Sequence, residues 1–81
     1  MENTDFIKYI ADIVKQHRKK SGLSQIELAE MAGVGKTTVF DIEHAKPTVH
    51  FVNILNILRV LNVDLCLKSP LLKDSEIKEC E

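Results

Sequence analysis

The residues with the greatest potential for chemistry form one short segment, Gly33-Val34-Gly35-Lys36-Thr37-Thr38. Glycine amides followed by Lys and Thr are typical of the end of a phosphate-cradling loop, where the lysine reaches phosphate and the hydroxyl reaches a metal ion. The full pattern requires a glycine five residues before Gly35, but that position is Glu30, whose charge would repel phosphate. The segment therefore does not predict a nucleotide site.

The other reactive side chains form no catalytic or metal-binding pattern. The sequence has no Gly-x-Ser-x-Gly segment and no histidine pair at i, i+4, which are arrangements typical of hydrolases and zinc sites. Cys66 and Cys80 are fourteen residues apart without a second ligand cluster, and we expect both to be reduced. The sequence predicts no enzyme activity, no cofactor and no metal ion.

Charge is unevenly distributed along the 81 residues. Eleven Lys and Arg stand against twelve Asp and Glu, so the net charge of −1 does not by itself favour a polyanionic partner. Residues 17–20, His-Arg-Lys-Lys, nevertheless form a basic cluster that can bind anions, whereas the carboxyl-terminal residues are mainly acidic. We expect residues 71–81 to be an acidic, disordered tail.

Hydrophobic spacing and capping residues predict two helices in the first half of the chain. The first has Thr4 as its cap and ends near Ser21-Gly22. The second has Ser24 as its cap and Glu27 three residues later, the pattern of a capping box. Gly33 ends this helix, because glycine adopts the left-handed conformation without strain.

Two more helices and one strand are predicted in the second half. A third helix runs from Gly35 to about Glu43, and Pro47 follows it. The fourth has apolar residues at i, i+3, i+4, i+7 and i+10, which are Phe51, Ile54, Leu55, Leu58 and Leu61. Residues 63–67 then alternate between apolar and polar, as in a short strand.

This strand predicts a dimer. A single strand cannot satisfy its own backbone donors and acceptors, so it is expected to pair with the same segment of a second chain about a two-fold axis. The fourth helix also has a second apolar strip, which suits a further neighbour. The predicted interface residues are Val60, Val63, Leu65, Cys66 and Leu67.

The stretch from Gln25 to His44 resembles the helix-turn-helix of the phage-repressor (lambda repressor/Cro-like, XRE) family. Ala29 occupies the position where the two helices touch, and Gly33 lies in the turn. Val39 and Ile42 match the buried side of the second helix of the motif. The resemblance covers about residues 10–67. It implies an all-α lambda-repressor-like fold of four to five short helices, plus the short C-terminal strand that pairs across a dimer.

The resemblance also implies that the third helix reads the major groove of double-stranded DNA. We expect Lys36 to contact a guanine edge or phosphate and Thr37 a base edge or phosphate. Asp41 would accept from a cytosine amino group, and Phe40 would touch a thymine methyl group. Residues at the start of the second helix would bind phosphate, and those in the loop after the third would add backbone contacts. The complete predicted set is Ser24, Gln25, Lys36, Thr37, Phe40, Asp41, His44 and Lys46.

Four of the residues in this pattern have alternative interpretations. Phe40 could be a surface aromatic that covers a neighbouring side chain, and Lys36 could be a merely solvated lysine. Arg18 and Glu43 match the ion pair that joins the first helix to the end of the recognition helix in this family, which implies a structural role. The alternative is two solvated charges that contribute little.

Within the family, residues 36–49, the short helix after them and the strand at 63–67 resemble the HipB-type antitoxins. Those are dimeric repressors whose partner is a HipA-type toxin kinase. The likeness implies a dimer on an inverted-repeat operator, autoregulating a toxin–antitoxin operon. The sequence departs from the commoner pattern at Gly35, where Ser or Thr is usual, and at Ala45, where Gly is usual.

Two other functions stay open, a solitary helix-turn-helix regulator without a toxin and a protein-interaction module that uses this fold without DNA. In each case we assign residues 1–70 to one helix-turn-helix and dimerisation domain, followed by the tail at 71–81. The sequence shows no secretory signal and no membrane span. It therefore predicts a location in the bacterial cytoplasm, associated with the nucleoid, and no membrane partner.

Overall fold

The helix order predicted from the sequence is confirmed. The computed structural model describes residues 3–66, and in that range it has the helices α1 (Asn3–Lys20), α2 (Gln25–Ala32), α3 (Lys36–Glu43) and α4 (Phe51–Val60). Within the same range, no helix combines the length and apolar character needed to span a bilayer. The predicted tail at 71–81 lies outside the described residues.

The first helix starts earlier than its predicted cap. α1 begins at Asn3, so Thr4 lies inside the helix and is not the N-cap. At the other end, the amide of Ser21 donates to the carbonyl of His17 at 2.9 Å, and Gly22 takes a positive φ of 73°. The chain therefore turns away at the predicted Ser21-Gly22 boundary.

The turn between α2 and α3 has the predicted capping chemistry. Ser24 Oγ accepts a hydrogen bond from the amide of Glu27 at 3.0 Å, and Glu27 Oε1 accepts one from the amide of Ser24 at 2.9 Å. Gly33 ends α2 with φ 70° and ψ 31°. Because this left-handed conformation is strained for residues with a Cβ, the position suits glycine.

All four helices contribute to one apolar core. Its buried residues are Ile10, Val14, Leu28, Ala29, Val39, Ile42, Ile57, Leu58 and Leu61. Ala29 is 2% exposed, and its neighbour Leu28 is fully buried. A larger side chain at position 29 would overpack this contact, which typically costs about 1–3 kcal/mol. The core thereby fixes one face of α3 against α1, α2 and α4, and the opposite face of α3 points outward.

The two departures from the family pattern have visible consequences. Gly35 is the N-cap of α3 and provides no side-chain hydrogen bond to the helix. Ala45 has a φ of 55°, so it occupies the left-handed region that glycine would enter without strain. The turn is closed all the same, because the amide of Lys46 donates to the carbonyl of Asp41 at 3.0 Å.

After α4 the chain reverses and continues without regular structure. Asn62 has a φ of 60°, and the amide of Val63 donates to the carbonyl of Leu58 at 2.9 Å. Val60 and Val63 pack against the core, whereas residues 63–66 are in neither helix nor strand within this single chain. Leu67 lies outside the described residues. Pairing across a dimer therefore stays a prediction.

One expectation about the cysteines is wrong. Cys66 is disulfide-bonded and is not a reduced thiol. The expectation was based on the presumed cytoplasmic compartment, in which thiols are kept reduced. The sequence does not give the distance between sulfur atoms, which decides whether they can bond. The side chain is exposed, as is that of Asp64, while Leu65 between them is half-buried.

Candidate nucleic-acid interface

The outer face of α3 carries three of the predicted contacts. Lys36, Thr37 and Phe40 are exposed, and 41% of the surface of Phe40 is accessible. Val39 and Ile42 on the same helix are 0% and 3% exposed, because they face the core. The 3.6-residue period of the helix thus separates a packed side from a side that is open to a ligand.

The start of α2 places two more predicted contacts in different environments. Ser24 is exposed, and its hydroxyl oxygen is used by the amide of Glu27. Gln25 is half-buried, and its Nε2 donates to Glu43 Oε1 at 3.1 Å. A phosphate contact of Gln25 is predicted from the sequence, but this bond is not, because no local spacing connects residues 18 positions apart.

The Arg18–Glu43 pair is present and nearly buried. Arg18 Nε donates to Glu43 Oε2 at 2.6 Å, and Arg18 Nη2 donates to Glu43 Oε1 at 3.1 Å. The two side chains are 12% and 2% exposed, which excludes the alternative of two solvated charges. Arg18 Nη1 also donates to the carbonyl of Leu23 at 2.8 Å, so α1 is fixed to the segment that precedes α2.

The charges of this pair stabilise each other. Burial alone raises the pKa of the Glu43 carboxyl. Hydrogen bonds from Arg18 and Gln25 and the positive charges of Arg18 and Lys15 lower it by more, so the pKa lies below its usual value. The hydrogen bond to Glu43 raises the pKa of Arg18 against the opposing effect of burial. Glu43 is therefore ionised near neutral pH and acts only as an acceptor.

The carboxylate of Asp41 forms an ion pair within the protein. Lys46 Nζ lies 3.4 Å from Asp41 Oδ1, and this oxygen is buried and accepts no hydrogen bond from the described residues. The Asp41 side chain is 23% exposed, and that of Lys46 is 52% exposed. Lys46 therefore opposes the charge of Asp41, so neither is an independent charge on the surface.

Phe40 and His44 form a stack at the end of α3. Their ring centroids are 3.8 Å apart with an interplanar angle of 22°, and Lys46 Nζ lies 5.7 Å from the Phe40 centroid. His44 Nδ1 is 2.8 Å from the carbonyl oxygen of Phe40. The i, i+4 spacing of the two rings was the available sequence signal, since such residues are neighbours on a helix. The stack leaves Phe40 exposed enough to contact a ligand.

The predicted contact residues lie at two helix segments. The structure brings together Lys36, Thr37, Phe40, Asp41, His44 and Lys46 on and just after α3, and Ser24 and Gln25 at the start of α2. Those predicted dimer residues that the structure describes lie elsewhere, at the end of α4 and in the segment after it. The hydrogen bond between Gln25 and Glu43 joins the two parts of the candidate interface.

Comparison with known proteins gives a match to a family model and a related transcriptional regulator. The helix-turn-helix family model matches residues 14–67. An uncharacterised HTH-type transcriptional regulator, y4mF of Sinorhizobium fredii, is 39% identical over 67 residues, which cover 79% of this chain and 88% of the relative.

The fold is similar to known HipB structures. Two of them are a complex of a HipB variant with an O2 20-mer and a complex of HipB with an O4 20-mer. Each aligns with a TM-score of 0.70 and 23% identity over 79% of this chain, and the alignments cover 89% and 90% of the respective HipB chains. A HipA-HipB-O2-O3 complex aligns with a TM-score of 0.68 and 23% identity over 86% of this chain and 93% of that one.

These structural likenesses concern the fold, because the sequence identity is low. The match to the family model covers the turn, the buried helix contacts and the exposed face of α3 described above. The chain belongs to the helix-turn-helix family of DNA-binding transcriptional regulators.

Proposed function

We propose that the protein is a dimeric repressor that recognises an inverted-repeat operator by placing α3 in the major groove. The observation that carries this proposal is the division of α3 into a buried side at Val39 and Ile42 and an exposed side at Lys36, Thr37 and Phe40. An α-helix fits the major groove, where its exposed side chains can distinguish all four base pairs. The relative from Sinorhizobium fredii, described as a transcriptional regulator, supports the same role.

Each predicted contact follows from the character of its side chain. Lys36 and Thr37, in the first turn of α3, bind a base edge or a phosphate, and the exposed ring of Phe40 contacts a thymine methyl group. Asp41 accepts from a cytosine amino group through Oδ2, since Oδ1 is buried and lies 3.4 Å from Lys46 Nζ. His44 and Lys46 contact the DNA backbone beyond the end of the helix.

The start of α2 supplies the second set of contacts. Ser24 and Gln25 lie where backbone amides at a helix N-terminus attract an anion. Contacts to phosphate carry no sequence information but fix the position of the protein on the duplex. In this arrangement α2 sets the register of the protein and α3 reads the bases.

The biological context that we propose is a toxin–antitoxin operon. The fold is similar to that of HipB, including the chain in the HipA-HipB-O2-O3 complex, which favours a HipA-type kinase as the partner and autoregulation as the role. The second candidate is a solitary regulator, which the description of the relative as a transcriptional regulator favours. Reading the adjacent gene and co-purifying its product with this protein would distinguish the two.

Titration of a labelled duplex from upstream of the protein's own gene tests DNA binding. We expect affinity to fall steeply with salt, because bound cations release counterions from the phosphates. Lys36→Ala and Thr37→Ala should each weaken specific binding by about 1–3 kcal/mol and leave the melting temperature unchanged, since both side chains are exposed. Lys8→Ala, another exposed lysine, is the matched control. Absence of binding at low salt would instead indicate a protein-interaction module.

A further inference from the structure

One carboxylate connects three helices at the edge of the candidate interface. Glu43, the last residue of α3, accepts from Gln25 Nε2 at 3.1 Å and from Arg18 Nη2 at 3.1 Å through Oε1, and from Arg18 Nε at 2.6 Å through Oε2. Gln25 is the first residue of α2, and Arg18 lies in the last turn of α1. The ion pair is thus joined to a residue that we expect to bind phosphate.

The chemistry of the carboxylate determines which end of the Gln25 amide it meets. An ionised carboxylate only accepts hydrogen bonds, so the amide must turn its NH₂ group towards Glu43. This contact holds the side chain in one orientation, whereas an exposed glutamine samples several rotamers. The second N–H of the amide has no partner among the described residues and is left as a donor.

The backbone next to Gln25 is also prepared to bind an anion. The capping box uses the amides of Ser24 and Glu27, and the amide of Leu28 donates to the carbonyl of Ser24. The amides of Gln25 and Ile26 have no hydrogen-bond acceptor in the described part of the chain. Two backbone donors therefore lie beside the oriented side-chain donor at the positive end of α2.

We propose that Glu43 is a positioning residue for DNA binding, which holds the Gln25 amide with its free N–H available to a backbone phosphate. The inference rests on the proposed DNA contact of Gln25. Because the side chain is ordered before the DNA arrives, binding does not have to freeze it, and the affinity of the contact rises. The Arg18–Glu43 pair then contributes to DNA affinity as well as to the fold.

A double-mutant cycle on a short labelled duplex of mixed sequence, at low salt, tests this role. Gln25→Ala is measured in the wild type and in Arg18→Met/Glu43→Leu, since replacing both partners of a buried pair by apolar residues is often tolerated. We expect Gln25→Ala to weaken binding roughly three- to tenfold in the wild type and less than about twofold in the apolar background. Gln16→Ala, at an exposed glutamine of α1, is the control and should have no effect in either.

The outcomes separate this inference from the proposed function. Equal losses in the two backgrounds overturn the positioning role alone, whereas a wild-type protein that does not bind the duplex overturns the proposed function and the inference with it. Nuclear magnetic resonance of the free wild-type protein is decisive if the apolar variant does not fold. The chemical shifts of the Gln25 side-chain amide protons should change as Glu43 is protonated in acid. Chemical shifts that stay constant over this pH range would refute the contact.

Discussion

The guanidinium of Arg18 and the carboxylate of Glu43 form a two-point contact, 2.6 and 3.1 Å long, between the end of α1 and the end of α3. A planar guanidinium and a planar carboxylate fit each other in this way, and a lysine could not reproduce the geometry. Since the Glu43 side chain is 2% exposed, its carboxylate depends on protein donors and not on bulk water. The contact therefore holds the recognition helix against the rest of the domain.

Arg18→Ala should destabilise the fold much more than Lys19→Ala. Removing the guanidinium leaves the buried carboxylate of Glu43 without a counter-charge, which costs on the order of 2–4 kcal/mol. Lys19 is exposed, and its loss should cost under about 0.5 kcal/mol. Thermal unfolding of both variants measures the difference, and equal melting temperatures would contradict the role assigned to the pair.

Stability should fall in acid as Glu43 is protonated. Its pKa is lower in the folded protein than in the unfolded chain, where the pKa of a glutamate is about 4.3. The stabilisation is therefore complete above the unfolded pKa and is lost as the pH falls through the folded pKa. Urea unfolding below about pH 5 should show a smaller pH dependence for Glu43→Gln than for the wild type. An unchanged dependence would mean that other carboxyls cause the acid sensitivity.

Gly35→Ser should stabilise α3. The N-cap has an extended conformation with φ −72° and ψ 151°, which serine adopts readily, and its added Cβ would be 3.7 Å from Thr38 Oγ1, an ordinary contact. A serine hydroxyl would cap the helix, and the unfolded chain would lose freedom, for a gain of about 0.5–1 kcal/mol. Gly22→Ser is the contrasting control and should destabilise, because Gly22 has a φ of +73°. Chemical denaturation of both variants provides the test.

Glu27→Gln should strengthen DNA binding. Glutamine can replace glutamate in the capping box, since its carbonyl oxygen can accept from the amide of Ser24. The substitution removes a negative charge beside the expected phosphate contacts at Ser24 and Gln25, so affinity at low salt should rise by roughly two- to fivefold. Salt should reduce the gain. Glu30→Gln, an exposed carboxylate in the last turn of α2, controls for net charge, and an equal gain there would exclude a local effect.

The sequence predicted most of the fold because its signals are local. The capping box at Ser24 and Glu27 and the turn at Gly33 depend on residues within one helical turn of each other, so their spacing was sufficient. The bond between Gln25 and Glu43 and the pairing of Asp41 with Lys46 depend on how the chain folds back. Such contacts have no periodic pattern, and the sequence could supply only the residue types.

We expect the segment at 63–67 to form an antiparallel ribbon with the same segment of a second chain. Val63 is fixed to the core by its packing and by its bond to the carbonyl of Leu58, so the segment leaves the domain from a defined point. Two strands alone are marginal in water, and the ribbon should therefore rest on the α4 helices, near Val60. Such a dimer would hold two α3 helices about one DNA turn apart, and the operator half-sites should be roughly 10 bp or a multiple apart.

Leu65→Asp in the full chain tests this arrangement, because a charge in the ribbon would be buried on pairing. We expect the variant to remain helical but to sediment as a monomer and to bind an inverted repeat much more weakly, since two half-site contacts no longer act together. Asp64→Ala, at the exposed neighbouring position, should remain dimeric. If Leu65→Asp still sediments as a dimer, the α4 helices carry the interface without the strand, and the second apolar strip around Val60 becomes the surface to mutate.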